Sequence, residues 1–235
     1  MKIVIVGQGN VAVNLLLAFR RQGIQPEMVS SRTLEGLRED ADLYIYAVAD
    51  HALREVIERV HTDERALHVH TSGTMPIDVF GADKPHAGIF YAFQSFSKEK
   101  PLEDFSNVPV FIEARNGDDL TAIYSIAQCI THHVYEASQH DRERLHVAGV
   151  LVNNFPNALY GMAEDLLRGT SIPFSALLPL IDETAAKVHT LSPREAQTGP
   201  AKRGDEAVMA HHMSLLQSDA DREIYRLLSN KIRGN

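Results

Sequence analysis

Apolar positions divide the chain into two regimes. Up to about residue 137, short unbroken apolar runs alternate with longer stretches of helical periodicity. Ile3–Val6, Glu27–Ser31, Leu43–Val48, Ala66–His70, Val108–Ala114 and His133–Glu136 are predicted strands, several of them apolar enough for burial on both faces. Val11–Arg20, Leu34–Asp40, Ala52–Val60 and Asp118–Thr131 are predicted helices, and Pro76–Phe80 a helical turn. His86–Ser97 carries Phe90, Tyr91, Phe93 and Phe96 and is predicted to be largely buried. Its polar members His86, Gln94 and Ser95 then need partners, and a ligand is a candidate partner.

Beyond residue 137 the strand pattern stops. Gln139–Arg168 forms one long amphipathic pattern that Pro156 is expected to kink, and Phe174–Leu191 a second helix. Ser192-Pro-Arg-Glu195 has the form of a capping box for a short third helix. Gly199-Pro200 is a break, Asp205 caps a helix reaching about Leu216, and Asp219 starts the last one. The expected architecture is an α/β, Rossmann-like parallel-sheet domain over 1–137 and an all-α C-terminal domain over 138–235.

Gly7-Gln-Gly-Asn-Val-Ala12 follows the first strand and opens the first helix. A G-x-G-x-x-A turn in that place suits a dinucleotide pyrophosphate. Gly7 makes the tight turn, Gly9 lets the backbone approach the phosphates, and Ala12 lets helix and strand pack closely. Gly7, Gln8, Gly9, Asn10 and Val11 are the candidate phosphate contacts, helped by the helix N-terminus. At the tip of the second strand, Ser31 and Arg32 replace the acidic residue that an NAD site uses. Two hydroxyls and a guanidinium around that tip suit a 2′-phosphate, so NADP is favoured over NAD. The alternative is a solvated loop arginine. Ala49, Thr71 and Ser72 end later strands on the same sheet edge and are further cofactor candidates.

Charge and cysteine content narrow the class. Lys plus Arg number 23 against 31 Asp plus Glu, a net charge of −8, with no basic cluster to suggest a nucleic-acid partner. One cysteine, Cys129, is expected to be a small buried apolar side chain, and no cysteine-rich metal site exists. No apolar run reaches the ~18 residues a membrane span needs, and the strand starting near the N-terminus leaves no room for a signal peptide. A cytoplasmic protein is expected. The histidines, 12 in all, include His68 and His70, which on a strand face the same way; satisfied or surface histidines are favoured over a metal site.

On the long helix, His146, Val150, Asn153 and Asn157 fall on one stripe with Asn154 beside it. Asparagines in such number either bind something or hydrogen-bond across an interface. Together with Gly7–Ala12, Thr71-Ser-Gly73, Gly88–Ser97, Arg144-Leu-His146, Asn153–Asn157, Pro179-Leu-Ile181, Thr198–Asp205 and His211, these residues resemble a family of NAD(P)-dependent oxidoreductases. Its members pair a Rossmann-like domain with a helical domain of unknown function, distantly related to pyrroline-5-carboxylate reductase and 6-phosphogluconate dehydrogenase. The resemblance covers nearly the whole chain. It implies a substrate cleft shaped by the helical domain and a homodimer through the C-terminal helices.

In the related β-hydroxyacid dehydrogenases a catalytic lysine precedes the second Asn of a similar pair by four residues; here Val150 stands there. His146, one turn earlier, becomes the candidate acid or base, with Asn153 and Asn154 beside it. Gln94, Lys202 and Arg203 are substrate candidates, the two cations for an anionic group. Two functions stay open: an NADP-dependent oxidoreductase acting on a small carbonyl or imine, and a nucleotide-binding sensor or scaffold without turnover. The P-loop and nucleophile-elbow patterns are absent, as is a tyrosine followed four residues on by lysine.

Overall fold

A computed structural model describes residues 1–234. The chain divides into two compact units, Met1–Asn153 and a second beginning at Asn154.

The first unit is built on a seven-stranded sheet. Its strands are β1 (Ile3–Val6), β2 (Glu27–Val29), β3 (Leu43–Tyr46), β4 (Leu67–His70), β5 (Ala87–Ala92), β6 (Val110–Ala114) and β7 (Val134–Glu136), in the order β2-β1-β3-β4-β5-β6-β7. The helices are α1 (Asn10–Arg21), α2 (Asp50–Arg59), α3 (Gly117–Gln128) and α4 (Gln139–Gly149). β1 explains its own sequence: Ile3 and Ile5 enter the core shared with α1 and α3, while Val4 and Val6 enter the core shared with α2. A strand with helices on both faces has no polar side, so it reads as an unbroken apolar run.

The sheet is mostly parallel, as expected of a Rossmann-like domain, running parallel from β2 through β5. β6 runs antiparallel to β5, and β7 runs parallel to β6. The connection 93–109 contains no helix, and a parallel return needs a crossover long enough to span the sheet face. The chain instead turns back beside β5.

Some expectations fail locally, each for a visible reason. Leu34–Asp40 is not a helix: Leu34 and Gly36 have positive φ (53° and 75°), which an α-helix does not accept, and Arg38 is tied to Glu27 and Asp40. Cys129 is exposed at the C-terminal end of α3 rather than buried, its Sγ 3.4 Å from the Ser125 carbonyl oxygen. The break in the long helix is a π-helical turn, Val150–Asn154, and lies before Pro156. Pro156 instead occupies the first turn of α5 (Phe155–Leu167), where its missing N–H leaves nothing unpaired.

Two strand histidines are buried and satisfied. His68 sits between the hydroxyls of Tyr46 (3.0 Å) and Thr62 (3.1 Å). His70 Nδ1 accepts from the Ser72 amide, and Nε2 faces the Pro76 carbonyl. Burial lowers their pKa values to about 3 and about 4, against 6.5 for the free side chain. Between those limits the unfolded chain binds more protons, so stability declines as pH falls from about 6.5 toward 4. Urea unfolding at pH 7 and pH 5 reads this decline. A His68→Gln variant should show it less steeply; an unchanged slope would rule His68 out as its source.

The second unit contains α5, α6 (Leu178–Lys187), the single turn α7 (Pro200–Arg203), α8 (Glu206–Leu215) and α9 (Asp219–Arg233). Asp205 and Ser218 accept from the amides of Val208 and Asp221 and so cap α8 and α9. Ser192 and Glu195 close their reciprocal box, yet no helix follows, because Gly199 at φ 109° and Pro200 redirect the chain. Among the described residues of this unit, only Ala201, Met209 and Ser229 are buried.

Candidate nucleotide cleft and proton-transfer site

The chain leaves β1 for β2 on one side and continues to β3 on the other, so the strand order reverses at β1. A crevice opens outside the carboxyl ends of the strands at such a point. Here it is a cleft of about 860 Å³.

Gly7 makes the turn at its floor. Its φ is 131°, and a Cβ on it would lie 2.2 Å from the Ala47 carbonyl oxygen. Only glycine fits there with β3 at its present spacing. Gly9 differs: a Cβ there meets nothing within 4 Å, because the residue faces the open cleft. It is also the N-cap of α1 and offers no side-chain cap, which leaves the first-turn amides free for an anion. Ala12 is fully buried where α1 meets the core. An unfilled space at Gly9 beside uncapped amides fits a pyrophosphate group.

The cleft gathers most of the residues that the sequence singled out for the cofactor: Gly7, Gln8, Gly9, Ser31, Arg32 and Ala49. Asn10 and Val11 follow in the first turn of α1. The Asn10 Oδ1 accepts from the Lys98 amide at 3.3 Å, and Val11 packs partly against the core. Thr71 and Ser72 lie outside the cleft lining, and their hydroxyls are engaged. Thr71 Oγ1 faces the Tyr46 carbonyl, while Ser72 Oγ accepts from the amides of Thr74 and Met75. Three ionisable residues of α2 line the cleft without having been foreseen: His51, Glu55 and Arg59.

A second cluster lies around the end of α4. His146 is exposed, and its Nδ1 is 3.1 Å from the Tyr91 hydroxyl. Burial raises the Tyr91 pKa, so the phenol stays neutral. Held through Nδ1, the ring keeps Nε2 as its free nitrogen in either protonation state.

Glycines and one arginine build this geometry. A Cβ on Gly73 would fall 2.7 Å from the Tyr91 ring, and one on Gly149 would fall 2.7 Å from the Phe93 ring. Arg142, fully buried, binds Glu113 Oε2 at 2.7 Å through Nη2. Its Nη1 reaches the carbonyls of Ser72, Gly73 and Met75 at 3.3–3.5 Å. It thereby fastens α4 to the turn after β4. Linear spacing carried no sign of this link, since Glu113 and Arg142 stand 29 residues apart.

The remaining candidates are dispersed. Gln94 is exposed, and its Oε1 accepts from the Ser95 amide, so the burial expected of both fails. Asn153 and Asn154 are exposed in the π-turn, the first closing one unit and the second opening the other. Lys202 and Arg203 are exposed on α7.

A glycine turn at the switch point of a doubly wound sheet, followed by a helical unit, defines a Rossmann-type two-unit protein. A model of a domain of unknown function, DUF2520, matches residues 108–232, and the chain belongs to that family. A solved "putative NADP oxidoreductase" from Bacteroides fragilis is similar throughout: 37% identity, 100% of this chain, 98% of that one and a TM-score of 0.91. Two more distant structures share the fold. An imine reductase from Myxococcus stipitatus in complex with NADP+ aligns at 12% identity over 100% of this chain and 92% of its own, TM-score 0.60. Prephenate dehydrogenase from A. aeolicus aligns at 14% over 98% and 96%, TM-score 0.54. No functionally curated protein sequence matches the chain.

Proposed function

We propose that the protein is an NADP-dependent oxidoreductase acting on a small carbonyl or imine compound. The observation that carries the proposal is the cleft itself: a glycine turn, uncapped helix amides and the Ser31-Arg32 pair lining one crevice at the switch point. The name of the 37%-identical relative points the same way.

Amides of residues 8–10 would receive the pyrophosphate, and Ser31 and Arg32 the 2′-phosphate. Bound there, the nicotinamide would supply or accept hydride. His146 Nε2 would give a proton to the substrate in reduction and take one in oxidation, with Tyr91 fixing the ring through Nδ1. Asn153 and Asn154 would hydrogen-bond the substrate, with Lys202 and Arg203 serving an anionic group. Thr71 and Ser72 contribute by shaping the turn under Tyr91. This division of labour assigns nucleotide binding to 1–137 and substrate contacts chiefly to 138–235.

One observation favours a sensor instead: Val150, partly buried in the π-turn, offers no lysine for catalysis. The two differ in turnover. NADPH mixed with protein and a panel of keto acids, aldehydes and cyclic imines should lose its nicotinamide absorbance with at least one compound. Binding without any loss would favour the sensor.

The working unit is a homodimer in this proposal. Leu180, Leu227 and Phe155 are 66%, 53% and 54% exposed, in a unit with almost no buried side chains of its own. Apolar surface of that extent marks an interface. Light scattering should give twice 26.1 kDa; a mass of 26.1 kDa at micromolar concentration would contradict it. A cytoplasmic location fits the exposed thiol of Cys129, and no described helix is long and apolar enough to cross a membrane.

A further inference from the structure

Arg59 occupies the last turn of α2, where its charge reads as ordinary solvated helix surface. Its side chain does something else. Nη2 donates to the Arg32 carbonyl at 2.8 Å, and Nη1 reaches the Ser31 carbonyl at 3.4 Å. Arg59 therefore grips the backbone of two residues that line the cleft, and it lines the same cleft. Glu55, one turn earlier and also lining the cleft, is 3.6 Å from Arg59.

We propose that Arg59 is a specificity-determining residue for the phosphorylated ribose, acting with Arg32. The inference rests on the NADP assignment made above. Two effects combine. Arg59 fixes the turn that aims Ser31 and Arg32, so less ordering remains to be done when nucleotide binds. It also places a second positive charge beside Arg32. A 2′-phosphate carries roughly −1.5 to −2 charges at neutral pH, more than one guanidinium neutralises. Arg32 and Arg59 against Glu55 leave one net positive charge at this end of the cleft, and none if Arg59 is lost. A ribose hydroxyl gains little from that charge, so the effect falls on NADPH and spares NADH. Lysine is only a partial substitute, because the two carbonyls call for a planar fork of donors.

Glu55 provides an independent handle. Its carboxylate competes with the phosphate for Arg59 and repels it, so Glu55→Gln should strengthen NADPH binding while leaving the arginines in place.

Calorimetric titration of NADPH and NADH into wild type, Arg59→Ala, Arg59→Lys, Glu55→Gln and Arg32→Ala tests the proposal. Arg59→Ala should weaken NADPH about tenfold and NADH less than about threefold, and Arg59→Lys, which keeps the charge but loses the fork, should weaken NADPH by a smaller factor that still exceeds its effect on NADH. Arg32→Ala should do the same as Arg59→Ala, and Glu55→Gln should raise the preference for NADPH. An NADPH-to-NADH affinity ratio unchanged in the Arg59 variants overturns the proposal, as does an equal loss for both nucleotides, which is the mark of a merely structural residue. If Arg59→Ala fails to fold, Arg59→Lys and Glu55→Gln decide. Wild type that binds neither nucleotide overturns the NADP assignment itself; wild type that prefers NADPH while the variants keep that preference overturns only the role of Arg59.

Discussion

Replacing Glu113 with alanine should lower the stability of the protein by about 3 kcal/mol or more, the usual consequence of leaving one member of a buried pair uncompensated. Arg142 has no exposed surface, while the Glu113 side chain retains 28%, so the loss belongs at the lower end of the range for such pairs. Among the described residues, after the change the guanidinium keeps only three carbonyl oxygens at 3.3–3.5 Å, and its Nε is unpartnered already. For a chain of this size the unfolding midpoint should fall by roughly 6–12 °C. Removing both charges with similar-sized apolar residues, as in Arg142→Met with Glu113→Leu, should be milder, because no charge is stranded. Thermal unfolding followed by circular dichroism compares the three proteins. A Glu113→Ala midpoint within 2 °C or so of wild type would show that Arg142 is not held as described.

Alanine at Gly7 and at Gly9 should both weaken nucleotide binding but differ in stability. At Gly7 the new methyl group would lie 2.2 Å from the Ala47 carbonyl oxygen, on a backbone at φ 131°. The strained conformation alone costs about 1–3 kcal/mol, and relieving the clash pushes the turn away from β3. Gly7→Ala should therefore lose both several degrees of thermal stability and nucleotide affinity. At Gly9 the methyl group meets no protein atom within 4 Å. Gly9→Ala should keep its unfolding midpoint, yet bind nucleotide more weakly, because the methyl group takes the space left for phosphate. Melting curves with and without NADPH separate the two. Equal stability loss in both variants would mean that Gly9 serves the fold and not a ligand.

Six of the seven strands and the glycine turn were legible because their causes are local, whereas β5 was read only as a buried segment. β1 buries both faces, so its apolar run is unambiguous, and a G-x-G-x-x-A immediately after it leaves few alternatives. What escaped the sequence depends on contacts between distant residues. The antiparallel return into β6 follows from what the 93–109 connection lacks, and propensity does not register a missing crossover. Arg142 reads as one more charge on a polar helix until Glu113 and the turn after β4 are placed against it. Arg59 is hidden in the same way, by two carbonyls 27 and 28 residues upstream. His146 was singled out from its stripe as a candidate, but its partner Tyr91 lies 55 residues away on another element, and only the fold brings them together. Leu34–Asp40 kept helical propensity but yielded to the positive φ angles at Leu34 and Gly36.

The central claim is that the cleft beside Gly7 and Arg32 holds a phosphorylated dinucleotide. Calorimetry of the purified full-length protein with NADPH and NADH at moderate salt tests it most directly. Saturable binding of both, tighter for NADPH, is the predicted outcome. Flat traces for both at millimolar nucleotide, or tighter binding of NADH, would contradict it.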